Sequence, residues 1–119
     1  MYYFSALEDN KSNEFIMIHN QRVKHTSGYE VFSAGRFFYG YKDEKNSYKI
    51  FTEYGGDPKL NHNYIYLYIT DIYNESEQKI DISNSSKKEM INKIILGIKQ
   101  MTKFTIVTVD EAGNEIILT

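Results

Sequence analysis

Alternating apolar and polar residues predict that most of this chain folds into short β-strands. The clearest alternation runs from Tyr64 to Thr70, where tyrosines at 64, 66 and 68 alternate with isoleucine or leucine at 65, 67 and 69. Successive side chains of a strand point to opposite faces of a sheet. We therefore expect the aliphatic set to enter the core and the tyrosine set to be partly exposed.

Other strand-forming runs are separated by polar or glycine-rich segments that predict turns and loops. Tyr2 to Leu7 and Glu14 to His19 predict an opening hairpin, and Val31 to Lys42 with Asn46 to Tyr54 predict a second one. The remaining segments are a loop over Gln21 to Gly28, a loop over residues 55–63, a short strand over Gln78 to Ile82, and a closing hairpin of Phe104 to Val109 with Glu115 to Leu118.

One long amphipathic helix is predicted near the C-terminus. Ser86 and Glu89 have the spacing of a capping box, in which the serine caps a backbone N–H and the glutamate reaches back. An apolar stripe at helical spacing follows, formed by Met90, Ile91, Ile94, Ile95, Ile98 and Met101. The element order predicts an α+β fold, an antiparallel sheet of six to eight strands in hairpins with this helix packed on one face. The length predicts a single domain over residues 1–119.

Composition narrows the function classes. The chain is 41% hydrophobic and 25% charged, as folded globular proteins are. Its net charge of −2, from 14 basic and 16 acidic residues, is too even to favour nucleic acid as a direct ligand. The absence of cysteine excludes disulfides, thiolate catalysis and cysteine zinc sites. The N-terminus has no basic leader and no apolar run approaches the ~20 residues that span a bilayer, so we expect a cytoplasmic protein without membrane partners.

No spacing typical of catalysis is found. His19, His25 and His62 form no metal-binding motif, and no nucleophile elbow or phosphate-binding loop is present. We therefore expect neither an enzyme nor a metal or other cofactor. One alternative stays open, because Asp57 followed by Glu77 and Lys79 has roughly the carboxylate and lysine pattern of metal-dependent nucleases.

The aromatic pattern predicts a partner-binding face. Because alternation on the preceding hairpin matches that of the tyrosine strand, we expect one shared face, formed by Phe37, Tyr39, Tyr41, Tyr64, Tyr66 and Tyr68. Tyrosine combines a large contact area with a polar tip and is enriched at interfaces. The alternative is cross-strand packing that only stabilises the sheet, and AT-rich codon usage could contribute to the tyrosine content.

Two further patterns concern ligands. The run Gly35 to Tyr41 mixes glycine and aromatic residues as RNA-binding strands do, although the order differs from the RNA-recognition signature. Lysines along the helix form either a basic strip for an acidic partner or a solvated face; they are Lys87, Lys88, Lys93, Lys99 and Lys103.

Together these observations favour a small non-enzymatic inhibitor that binds a larger protein target and acts by steric occlusion. Phages and mobile elements carry such proteins against host defence, as anti-CRISPR proteins, and others serve as antidotes to toxins. The alternatives are a metal-dependent nuclease-like or RNA-binding factor, and a structural subunit that associates into a homo-oligomer.

Overall fold

The computed structural model describes residues 14–118, whose strands all belong to one sheet. Eight strands follow one another across the sheet in chain order. They are β1 (Phe15–His19), β2 (Arg22–His25), β3 (Glu30–Ser33), β4 (Phe38–Lys42), β5 (Ser47–Asp57), β6 (His62–Asn74), β7 (Thr105–Val109) and β8 (Glu115–Leu118). Neighbours are antiparallel except β6 and β7, which are parallel because helix α1 (Asn84–Met101) returns the chain to the same end of the sheet. The predicted α+β class is confirmed.

Helix α1 covers one face of the sheet, here called the inner face. The apolar stripe predicted from the sequence points into the core, with Ile94, Ile95 and Ile98 almost completely buried. The sheet contributes fully buried aliphatic side chains to the same cluster, namely Val23, Val31, Ile50, Ile65, Leu67, Ile72 and Ile106. Each such side chain contributes about 1.5–3 kcal/mol on removal from water. Burial of this stripe is therefore the main physical reason why the helix lies on the sheet.

The helix approaches strand β3 unusually closely at Gly97. A Cβ atom at this position would stand 2.5 Å from Cβ of Val31, closer than real contacts between side chains allow. Glycine is required here because the Val31 side chain lies directly against the helix backbone.

The predicted helix start is wrong by about one turn. The helix begins at Asn84 with Ser83 as N-cap, and no side chain caps it. Ser86 and Glu89 lie within the helix, where the Glu89 carboxylate forms an ion pair 3.4 Å from the Lys93 ammonium. A glutamate in the first turns of a helix can either close a capping box or form an ion pair with a lysine four residues later. The spacing of Ser86 and Glu89 alone does not distinguish these two roles.

Three predicted strand and loop boundaries are also wrong. The segment Gln21 to Gly28 contains strand β2, and the run Val31 to Lys42 is split into β3 and β4 by a turn in which Gly35 has φ +98°. The long β5–β6 hairpin reduces the predicted loop over 55–63 to residues 58–61.

Two other predictions differ in outcome. Residues 78–82 make only an isolated bridge, between Tyr73 and Lys79, in place of a strand. Tyr2 to Leu7 lies outside the described residues. None of the helices in the described part of the chain is long and apolar enough to cross a bilayer.

An irregularity in β6 determines which residues face outward. Ile50 and Thr52 are two residues apart on β5, whereas their partners Ile72 and Leu67 are five apart, so β6 contains three extra residues. Leu67 and Ile72 both reach the core as a result, although strict alternation would place them on opposite faces.

Candidate protein-binding surface

The sheet face opposite α1, here called the outer face, carries a cluster of aromatic side chains. We call this cluster the aromatic surface; its residues are Phe32, Phe37, Phe38, Phe51, Tyr64, Tyr66, Tyr68 and Tyr73. Within residues 14–118 the one helix lies on the inner face, so no helix of this part of the chain covers the cluster.

Ring contacts connect the centre of the aromatic surface. Phe38 meets Phe51 and Tyr73 edge to face, with ring centroids 5.9 and 5.8 Å apart. Phe51 also contacts Tyr68 at 5.2 Å and stacks on Phe37 at 6.2 Å. Edge-to-face and offset arrangements are the favourable geometries for aromatic pairs. The rings therefore hold one another in place before any partner binds.

Three cations lie over rings of the aromatic surface. The Arg22 guanidinium is 4.3 Å from the Phe32 ring centroid, and the Lys49 ammonium is 4.6 Å from that of Phe38. Arg36 lies 5.3 Å from the ring of Phe37. Attraction to the negative ring face contributes about 0.5–1 kcal/mol at exposed sites. Ion pairs fix the first two, Arg22 to Glu30 and Lys49 to Glu77.

The tyrosine row confirms the alternation predicted from the sequence. Ile65 and Leu67 are fully buried on the inner face, while the side chains of Tyr64, Tyr66 and Tyr68 are partly exposed on the outer face. The Tyr68 hydroxyl donates a hydrogen bond to Oε1 of Glu53. This bond, together with partial burial, raises the pKa of Tyr68 to about 12.

The expectation that Tyr39 and Tyr41 share this face is wrong. They are 5% and 4% exposed and lie on the inner face, since Tyr39 pairs with the core residue Ile50 and Tyr41 with Tyr48. Phe37 belongs to the turn before β4, so counting alternate residues from it assigns the tyrosines to the wrong face. Phe38 occupies the outer position instead.

The hydroxyl groups of the two buried tyrosines form hydrogen bonds at the edge of the core. The Tyr39 and Tyr54 hydroxyl oxygens are 3.1 Å apart, and the Tyr41 hydroxyl donates to Oδ2 of Asp43 at 2.7 Å. Burial, reinforced by these hydrogen bonds, raises the pKa of both phenols. Their place in the structure is therefore that of core residues with a polar tip at the edge.

Sequence reasoning missed four rings of the aromatic surface: Phe32, Phe38, Phe51 and Tyr73. A usable signal was present at Gly40, which lies between two tyrosines on β4. A glycine between two tyrosines of a strand is consistent with tyrosines that point to the buried face. On the other face, the missing side chain of the glycine leaves room for a side chain from a neighbouring strand. The ring of Phe32 takes that place in the structure.

The structure does not bring together the residues of the nuclease alternative. Asp57 ends β5, whereas the Glu77 carboxylate binds Lys49 near the start of that strand. The two acids are thus separated by roughly 25 Å of strand. Lys79 forms its own ion pair with Asp71 at 2.9 Å. In the described part of the chain, the residues of this alternative therefore do not form one site.

The histidines are placed separately. His25 belongs to β2 and not to a loop, and its ring stacks on Tyr29 with centroids 4.7 Å apart. Nε2 of His62 lies 2.6 Å from the Thr105 hydroxyl oxygen. Within residues 14–118, no group of three or more histidine, aspartate or glutamate side chains is arranged to hold a metal ion.

An open cleft of about 590 Å³ lies between α1 and the turns at the β2–β3 and β4–β5 ends of the sheet. Two of its charged side chains, Asp43 and Lys93, already have partners inside the chain. The Asp43 carboxylate accepts hydrogen bonds from the Tyr41 hydroxyl and from the backbone N–H groups of Lys45 and Asn46. Lys93 is paired with Glu89. This arrangement is typical of a stabilised turn rather than of a ligand site.

Comparison of the chain with protein-family models, with curated proteins and with solved structures finds no match.

Proposed function

We propose that this protein is a non-enzymatic inhibitor that binds a larger protein and blocks it sterically with the aromatic surface. The observation that carries the proposal is the exposure of Phe37, whose side chain is 46% exposed at the margin of eight clustered aromatic residues. Aromatic residues and arginine are enriched at protein interfaces, and the aromatic side chains provide large contact areas at small entropic cost.

Phe37 has the features of an interface anchor. Its ring stacks on Phe51 and the Arg36 guanidinium lies over it, and both contacts restrict its orientation in the free protein. Inserting such a side chain into a pocket of the partner contributes about 1.5–3 kcal/mol from burial alone. A few residues, often aromatic or arginine, supply most of the binding energy of a typical interface.

Charges around the aromatic surface indicate the partner's chemistry. The outer face from β2 to the start of β5 carries four cations, Arg22, Lys24, Lys42 and Lys49, of which Arg22 is paired with Glu30 and Lys49 with Glu77. Carboxylates lie toward the other side of the outer face, with Glu53 in the second half of β5 and Glu115 at the start of β8. A complementary partner presents an apolar pocket for Phe37 with acidic groups on one side, and such complementarity increases specificity and association rate.

Two biological settings fit an inhibitor that acts by occlusion alone. One is interference with a host defence system by a phage or mobile element, as anti-CRISPR proteins do, and the other is neutralisation of a toxin. The identity of the partner distinguishes them, because the first requires a component of a defence complex and the second a toxic enzyme.

The proposal is tested by capture from a nuclease-treated lysate of the native host, using the tagged full-length chain. The compared chains are the wild type, Phe37→Ala combined with Tyr66→Ala, and Leu60→Ala as an exposed apolar control outside the aromatic surface. We expect one stoichiometric protein with the wild type and Leu60→Ala, and at least tenfold less with the double variant. Equal capture by all three chains, or no capture by the wild type, contradicts the proposal.

A further inference from the structure

Strand β1, at the edge of the sheet, exposes three consecutive apolar side chains. Ile16, Met17 and Ile18 are 60%, 49% and 50% exposed. Neighbouring side chains of a strand point to opposite faces, so this edge is apolar on both faces. A strand covered on one face only would expose alternate residues.

The backbone of β1 has outward-directed hydrogen-bonding groups. The Thr26 N–H donates to the Glu14 carbonyl oxygen at 2.8 Å, and Ile16 pairs with Lys24. In an antiparallel pair, hydrogen-bonded and non-hydrogen-bonded positions alternate. The N–H and C=O groups of Ile16 therefore face β2, whereas those of Phe15 and Met17 point away from it. In the part of the chain that the structure describes, β2 is the one strand paired with β1.

We propose that β1 is a dimerisation edge, which pairs antiparallel with β1 of a second copy about a two-fold axis at Met17. This inference does not rest on the proposed function, because it uses an edge of the sheet and not the aromatic surface. Strand addition of this kind satisfies edge groups that have no strand partner within residues 14–118, and it buries apolar side chains on both faces.

The sequence of β1 is complementary to itself in this register. Met17 faces Met17 of the second copy with both outward N–H and C=O groups paired, and Ile16 faces Ile18 of the second copy. All three exposed apolar side chains are then buried against one another, and no like charges are opposed. An axis at Ile16 would instead place Glu14 opposite Ile18, which leaves a carboxylate beside an apolar side chain.

The dimer should be weak and concentration-dependent. One five-residue strand forms the contact, and the β-bulge between Met17 and His19 limits regular pairing to its centre. Stable interfaces bury at least about 1,200 Å² of surface, and a contact of this size buries less. We therefore expect monomers at low micromolar and dimers at high micromolar concentration.

Sedimentation velocity over this concentration range tests the inference. The variants are Met17→Lys, which places a charge at the axis, and Leu60→Lys, a matched charge on an exposed leucine of the β5–β6 turn. The wild type and Leu60→Lys should dimerise, and Met17→Lys should remain monomeric at the highest concentration. A monomeric wild type, dimerisation of Met17→Lys, or assemblies larger than a dimer would overturn it.

The backbone contact has its own test. Met17→Pro replaces an exposed side chain and removes an N–H that points away from β2, so the variant should keep its thermal unfolding midpoint but lose dimerisation. In the wild type, hydrogen exchange of the Met17 amide should slow as concentration rises. Equal protection of this amide in dilute and concentrated samples would show that it does not pair with a second copy, and would overturn the proposal.

Discussion

The ring of Phe32 lies directly across Gly40 of the neighbouring strand. A Cβ atom at residue 40 would stand 2.2 Å from Cε2 of this ring, well inside the contact distance of carbon atoms. Gly40 therefore lets Phe32 lie flat on the outer face, where Arg22 packs over it. The position and orientation of one ring of the aromatic surface thus depend on a missing side chain.

Gly40→Ala should destabilise the protein by about 1–3 kcal/mol, because the added methyl group overpacks a filled site. In a Phe32→Ala background the same change should cost much less, since the ring is gone. Urea unfolding of the four chains of this double-mutant cycle measures the coupling. Equal costs of Gly40→Ala in both backgrounds would mean that the ring does not constrain residue 40.

Tyr39→Ala should cost about 3–5 kcal/mol of unfolding free energy, the range for large aromatic side chains removed from a core. Tyr39 is buried against the inner face, whereas Tyr66 is partly exposed on the outer face, so Tyr66→Ala should cost clearly less. Denaturant unfolding of both variants checks the assignment of faces. A larger loss for Tyr66→Ala would contradict it.

Thr52→Val should stabilise the protein by about 1 kcal/mol. The Thr52 hydroxyl is buried on the inner face, and it has no hydrogen-bond partner among the described residues. An unsatisfied buried polar group costs about 1–3 kcal/mol, and valine has nearly the same shape without that group. The test is a rise in the thermal or urea midpoint, and a fall would indicate that the hydroxyl makes a contact.

Acid should weaken the β4–β5 turn through Asp43. Burial opposes ionisation of this carboxyl, but hydrogen bonds from the Tyr41 hydroxyl and the N–H groups of Lys45 and Asn46 outweigh burial and lower its pKa. A carboxyl with a lowered folded-state pKa stabilises the fold above its unfolded pKa of about 3.9, and this contribution is lost as pH falls through the folded value.

Asp43→Asn should therefore reduce stability at neutral pH and flatten its decline below about pH 4, the range in which the unfolded carboxyl titrates. Urea midpoints of the wild type and variant, measured across acid pH, give the comparison. Parallel curves would mean that Asp43 contributes no proton linkage.

The features predictable from sequence were those set by uninterrupted periodicity. Ile94, Ile95 and Ile98 recur at helical spacing without interruption, so their pattern identified the buried face of the helix. Ile65 and Leu67 alternate with tyrosines along a regular part of β6, so their pattern identified the buried face of the strand. Strand β2 was missed because Val23 is its one fully buried side chain, which leaves no alternation to recognise.

The aromatic surface was only partly predictable, for a geometric reason. Assigning faces on β4 needs the residue at which the strand starts, and a shift of one residue exchanged Phe38 with Tyr39. The outward position of Tyr73 depends on the irregularity in β6, a property of how two strands pair. Local sequence does not encode it.

The most direct test of the central claim is the affinity of the captured partner, once purified, for single-residue variants of this chain. Phe37→Ala should weaken binding at least tenfold, whereas Leu60→Ala, an exposed apolar residue outside the aromatic surface, should bind as the wild type does. Circular dichroism should show that both variants are folded. Unchanged affinity of Phe37→Ala and of Tyr66→Ala would contradict the account. It would mean that the aromatic surface only stabilises the sheet through cross-strand packing.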